Sequence, residues 1–136
     1  MAYGISPALP LVYTAPDGPY GLTKTIPEAL IQNFKNLVLT NPGERMMDPE
    51  FGVGLRKYLF EPNDAGTYLD IETRIRNQVQ KYLSFISVER INFFSPTAPE
   101  GSVRHGQSAV MDGSFLGIQI RFKIIPIGSI EILNLP

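Results

Sequence analysis

At 136 residues, with 43% hydrophobic and 18% charged residues, the chain has the composition of a globular domain and not of a disordered segment. A net charge of −1 leaves no electrostatic footprint for nucleic acid, and the absence of cysteine removes disulfides, thiolate metal sites and cysteine nucleophiles together. The apolar stretches are far shorter than the ~20 residues that span a bilayer, and no basic-then-apolar leader opens the chain, so a soluble protein without membrane contact is expected.

Residues 1–20 carry Pro7, Pro10, Pro16 and Pro19 with Gly4 and Gly18, which opposes helix and predicts an extended arm. Its apolar Leu9, Leu11, Val12 and Tyr13 would let it order against a partner. Residues 21–136 read as a single α+β domain. Thr25 and Glu28 form a capping box, and Pro27 is tolerated in the first turn. Leu30, Ile31, Phe34, Leu37 and Val38 then recur at helical spacing, so the first helix buries one stripe.

Asn41-Pro42-Gly43 stops that helix and opens the most heavily specified segment of the chain. Pro42-Gly43 suits a turn in which proline presets φ and glycine supplies positive φ. Asp48-Pro49 reads as an N-cap followed by proline at the first helical position. Gly52 and Gly54 allow a bend or a close backbone approach, and a short helix is expected from about Gly54 to Phe60. Such a loop serves either its own fold or a partner.

Asn63 or Asp64 can cap a second helix, with Tyr68, Ile71, Ile75, Val79, Tyr82, Leu83 and Ile86 on one face and Asp70, Thr73, Arg74, Asn77, Gln78 and Lys81 away from it. Val88 to Ser95 is β-branched and aromatic, a strand by composition. Pro96 to Ser114 is polar and long for a hairpin loop. Across Phe115 to Ile125, Ile118, Ile120, Phe122 and Ile124 alternate with Gln119, Arg121 and Lys123, which predicts a half-buried strand. Gly128-Ser129 turns into a last strand, Ile130 to Leu135. The expected fold is α+β: two amphipathic helices and a short one on a small antiparallel sheet.

No active site assembles from these residues. Glu44, Asp48 and Glu50 are close enough in sequence to suggest the carboxylate pair of a glycosidase, but Arg45 beside Glu44 pushes its pKa down, the wrong way for a general acid. His105 is the only histidine and has only Arg104 beside it in a loop, so no triad and no metal site is expected. Cofactors are not implied.

The run Thr40 to Pro62, TNPGERMMDPEFGVGLRKYLFEP, resembles the signature of the small baseplate wedge subunit of contractile phage tails, a family once labelled lysozyme-like, with relatives in type VI secretion and extracellular contractile injection particles. The order of elements from about Thr25 to Leu135 is similar to that family's layout. A second hallmark, Glu-Pro-Arg-Ile before the first strand of the meander, is met by Val88-Glu89-Arg90-Ile91: Arg90 and Ile91 keep the pattern, Val88 and Glu89 depart from it.

The resemblance implies a handshake-like domain without enzymatic activity, placed in the tail baseplate of a virion assembled in the bacterial cytoplasm. It implies a hexameric assembly whose partners are the helical core bundle of other wedge proteins and the tail sheath subunits. Expected partner-interface residues are Pro42, Gly43, Glu44, Arg45, Phe51, Gly52, Leu55, Arg90 and Ile91. Ile130 and Ile132 join them on a sheet edge that could accept a foreign strand. The rival readings are a peptidoglycan hydrolase and a different tail adaptor or hub-binding module.

Overall fold

A computed structural model describes residues 3–13, 18–62, 64–94, 117–125, 128 and 130–135. Asn63, Pro96–Ser114 with His105, Phe115, Ser129 and the side chain of Phe94 lie outside the described residues. The chain divides into two compact units, Met1–Asn36 and Leu37–Pro136.

In the first unit, β1 (Ser6–Pro7) pairs antiparallel with β2 (Leu22–Thr23). Part of the proline-rich arm is thus tied to its own chain. The Gln32 amide holds the arm further: Nε2 donates to the Pro7 carbonyl and Oε1 accepts from the Leu9 N–H, both at 2.9 Å. Gln32 lies on α1 (Ile26–Leu39), which starts at the expected capping box. The Glu28 carboxylate accepts from the N–H groups of Lys24 and Thr25, while the Thr25 hydroxyl accepts from the Glu28 N–H. These bonds hold the Glu28 carboxyl below its usual range, the Thr25 side-chain bond foremost. Phe34, Leu37 and Val38 are fully buried and Ala29 nearly so, and Leu30 and Ile31 are half-buried.

The second unit carries a 3-10 helix (Leu55–Phe60), α2 (Ala65–Tyr82) and the antiparallel strands β3 (Ile86–Phe94), β4 (Gly117–Ile124) and β5 (Ile130–Leu135). The α+β class expected from the sequence is the one found. Asp64 caps α2, its Oδ1 accepting from the Thr67 N–H at 2.8 Å. Ile71, Ile75 and Val79 form the buried stripe of α2, and Tyr68 stacks on Phe93 of β3 with ring centroids 4.7 Å apart. Ile86, expected on that helix face, instead opens β3: α2 ends at Tyr82, and the Leu83 carbonyl accepts the Ile86 N–H in a tight turn. The apolar period continued past the helix end because the strand starts on the same core.

Strand order is β3-β4-β5, so β5 lies at an edge. Ile118, Ile120, Phe122 and Ile124 point into the core as their alternation predicts, joined by Ile91, Phe93, Leu133 and Leu135. The register of β3 on β4 slips between Val88 and Arg90, leaving Glu89 as an extra residue. Regular alternation would place Glu89 and Arg90 on opposite faces; the bulge leaves both exposed and returns Ile91 to the core. Arg76 of α2 donates to the Val88 carbonyl beside the bulge at 3.0 Å.

Candidate functional site

The segment from Asn41 to Gly54 is an ordered loop in the second unit. Glu44 N–H donates to the Asn41 carbonyl at 3.1 Å around Pro42-Gly43, and Gly43 has φ 92°, the turn that these two residues predict. The Glu44 carboxylate closes the same turn, accepting from Asn41 N–H at 3.0 Å and Asn41 Nδ2 at 2.8 Å. Those two bonds, with Arg56 contributing, hold its carboxyl below the usual range. The direction is the one expected, but the cause is Asn41, not Arg45.

Arg45 turns its guanidinium over the Phe51 ring, 3.7 Å from the centroid, and Phe51 meets Tyr82 edge-on at 5.0 Å. Asp48-Pro49 caps no helix. It opens a turn closed by Phe51 N–H to the Asp48 carbonyl, and the Asp48 carboxylate accepts from the Tyr82 hydroxyl at 3.0 Å. An Asx-Pro pair starts turns as readily as helices, and here tertiary contacts to α2 decide.

The loop returns beneath the end of α1. Val53 N–H donates to the Leu37 carbonyl and Gly54 N–H to the Thr40 carbonyl, satisfying acceptors that a helix end leaves without partners. Gly52 has φ 112°, and a Cβ there would lie 2.2 Å from the Thr40 carbonyl oxygen. Gln78 of α2 clamps the strand of loop from the other side, donating to the Glu50 carbonyl and accepting from Gly52 N–H. Lys81 adds an exposed ion pair to Glu50 that raises its own pKa. By sequence alone Gln78 and Lys81 stand on the polar side of α2 without a task. The one available signal was their position, polar residues a helix turn apart in a chain whose Gly-rich loop needs partners.

Among the expected interface residues, Pro42, Gly43, Glu44 and Arg45 are exposed on the turn, Phe51 and Leu55 half-buried, and Gly52 buried. Arg90 is exposed on β3, directly across from Arg121 of β4, whereas Ile91 is 6% exposed on the core face. Ile130 and Ile132 are exposed on β5, between 45% and 58%. The loop and the sheet therefore form two separate clusters joined by α2. Among the described residues no group of three or more His, Asp or Glu could hold a metal, and no helix is long and apolar enough to cross a membrane. Glu44, Asp48 and Glu50 are each engaged, with Asn41, Tyr82 and Lys81 respectively.

A family model described as baseplate wedge protein gp25 matches residues 25–109. The fold is similar to that of a Geobacter sulfurreducens protein, provisionally named a tail lysozyme, with a TM-score of 0.64 and 20% identity over 85% of this chain and 93% of that one. It is also similar to a chain in the cryo-EM structure of the anti-feeding prophage baseplate, with a TM-score of 0.65 and 24% identity over 87% of this chain and 82% of that one. At such identities these two likenesses speak to the fold. No protein with a curated description matches the chain.

Proposed function

The chain belongs to the baseplate wedge protein gp25 family, and from that premise we propose that it is a non-enzymatic wedge subunit that starts the sheath by accepting strands from sheath subunits. A structural role in a contractile-tail baseplate follows from the family itself. The finer reading rests on β5. This strand pairs with β4 from Lys123↔Ile130 to Ile118↔Leu135, and among the described residues no strand pairs with its other side. Main-chain donors and acceptors on that side can bind an incoming strand, and the exposed Ile130 and Ile132 offer it apolar contact. Residue pairs facing a hexameric wedge, on the turn at Arg45 and at Arg90, are proposed to meet the helical core bundle.

The rival hydrolase reading gains nothing from Glu44. A general acid needs a raised pKa, and the carboxyl of Glu44 is held low by the bonds from Asn41.

Successive residues of an antiparallel strand direct their N–H groups to opposite neighbours. Of Glu131→Pro and Ile132→Pro, one therefore breaks the β4 ladder while the other removes only an outward donor. The variant that keeps the β4 ladder is expected to fold with a melting temperature near that of the parent, to enter the baseplate, and to leave it without sheath. Electron micrographs of particles assembled with each variant check this. Normal sheath on baseplates containing the folded variant would remove β5 as the accepting edge.

A further inference from the structure

Beside the Asn41-Pro42 turn, an open cleft of about 540 Å³ lies among that turn, the 3-10 helix and α2. Its charged lining is entirely cationic: Arg56, Lys57 and Arg74. Pro42 and Phe60 supply the apolar wall, and Phe60 is 93% exposed. The nearby acids are already engaged. Asp70 accepts from the Tyr58 hydroxyl and lies 3.8 Å from Lys57 Nζ, and Glu44 is bound to Asn41. Glu61, directly after the 3-10 helix, is exposed and does not line the cleft.

Arg74 carries the second observation. Its Nε is buried and has no hydrogen-bond partner among the described residues. Buried donors without acceptors are rare in folded proteins because desolvation is then uncompensated. A guanidinium in this condition gains by turning Nε–H toward an acceptor, and side-on pairing with a carboxylate uses Nε–H together with one Nη–H.

We propose that this cleft is a docking site for a carboxylate side chain of a partner protein, with an apolar residue next to that acid covering Phe60. A planar carboxylate matches the guanidinium fork, and Arg56 and Lys57 add attraction from the rim. A free small anion would leave the wall of Pro42 and Phe60 unused and would fill little of the volume. The site goes beyond strand acceptance at β5 and involves different residues, so either can fail alone.

The test is an NMR titration of the full chain with a blocked tripeptide, leucyl-glutamyl-leucine, following the Arg74 Nε–H signal and the amides of Gly54 and Lys57. Saturable shifts in the millimolar range are expected, with the glutamine analogue about tenfold weaker because the charge and one acceptor geometry are lost. Arg74→Gln, shown folded by its amide spectrum, should abolish the response, and Arg74→Lys should restore only part of it. Equal binding of the glutamine analogue, absence of any saturable shift, or persistence of the shifts in Arg74→Gln would overturn the proposal. Inorganic phosphate producing the same shifts as the peptide would also overturn it, by reducing the cleft to a general anion site. No particle is needed, so the outcome is independent of sheath assembly.

Discussion

Gly43 and Gly52 look alike in the sequence, each a glycine beside a proline or aromatic residue in one loop, yet the structure asks different things of them. Gly43 needs only positive φ, with open space where a Cβ would stand. Gly52 needs positive φ and also the absence of a side chain, since the Thr40 carbonyl occupies the Cβ position. Gly43→Ala should therefore cost about 1–2 kcal/mol, the strain of a left-handed residue. Gly52→Ala should cost about 4 kcal/mol, because backbone must also move and the clamp from Gln78 is displaced. Denaturant midpoints at constant slope measure both. Equal losses would mean that the loop has room to shift away from α1. The special backbone was legible at both positions, because glycine pairs with turn chemistry there. The close approach at Gly52 was not, because it depends on where residues twelve positions earlier end their helix.

Elements were legible where the pattern was local. The capping box of α1, the stripe of α2 and the alternation of β4 each depend on neighbours within a few residues, and each is found as expected. Ile86 fits the helical face in sequence yet opens β3, because an apolar residue can continue a helical period and begin a strand at once. Glu89 was opaque because a bulge is a relation between two strands. Two glutamines illustrate the same limit. Gln32 and Gln78 each use a side-chain amide as a strand would use a peptide group, donating to one carbonyl and accepting from the N–H two residues on. Nothing in the sequence marks that use. The Asn41–Glu44 turn has its own electrostatic signature. The bonds from Asn41 put the folded pKa of Glu44 below its ordinary 4.5, so its contribution is complete above that value and is lost as pH falls through the folded one. The stability gap between the parent and Glu44→Ala, taken from unfolding curves, should be widest at neutral pH and narrow in strong acid. A gap independent of pH would show that the carboxylate charge plays no part in holding the turn.

At the scale of the molecule, the outer face of the three-stranded sheet is poorly suited to an isolated domain. Across the strands, Arg90 stands opposite Arg121 and Arg121 opposite Ile132, while Lys123 stands between Ser87 and Ile130. All six are exposed. Beside them Asn92, Gln119 and Asn134 form a hydrogen-bonded amide row. Like charges directly across a ladder are destabilising, and isoleucines on an exposed face gain little by staying there. Sequences rarely sit at their stability optimum, so this face can be improved for the monomer, at the expense of any partner it serves. Exchanging one cation for an acid separates the two demands. Arg121→Glu converts the pair with Arg90 into an opposite-charge pair and should raise stability by about 0.5 kcal/mol, roughly 2 °C in melting temperature. If the face meets another wedge protein, the same change should lower incorporation into baseplates, measured by the amount of subunit in purified particles. Greater stability with undiminished incorporation would assign the face to solvent, and lower stability would show that Arg90 and Arg121 are kept apart by their side chains and do not repel.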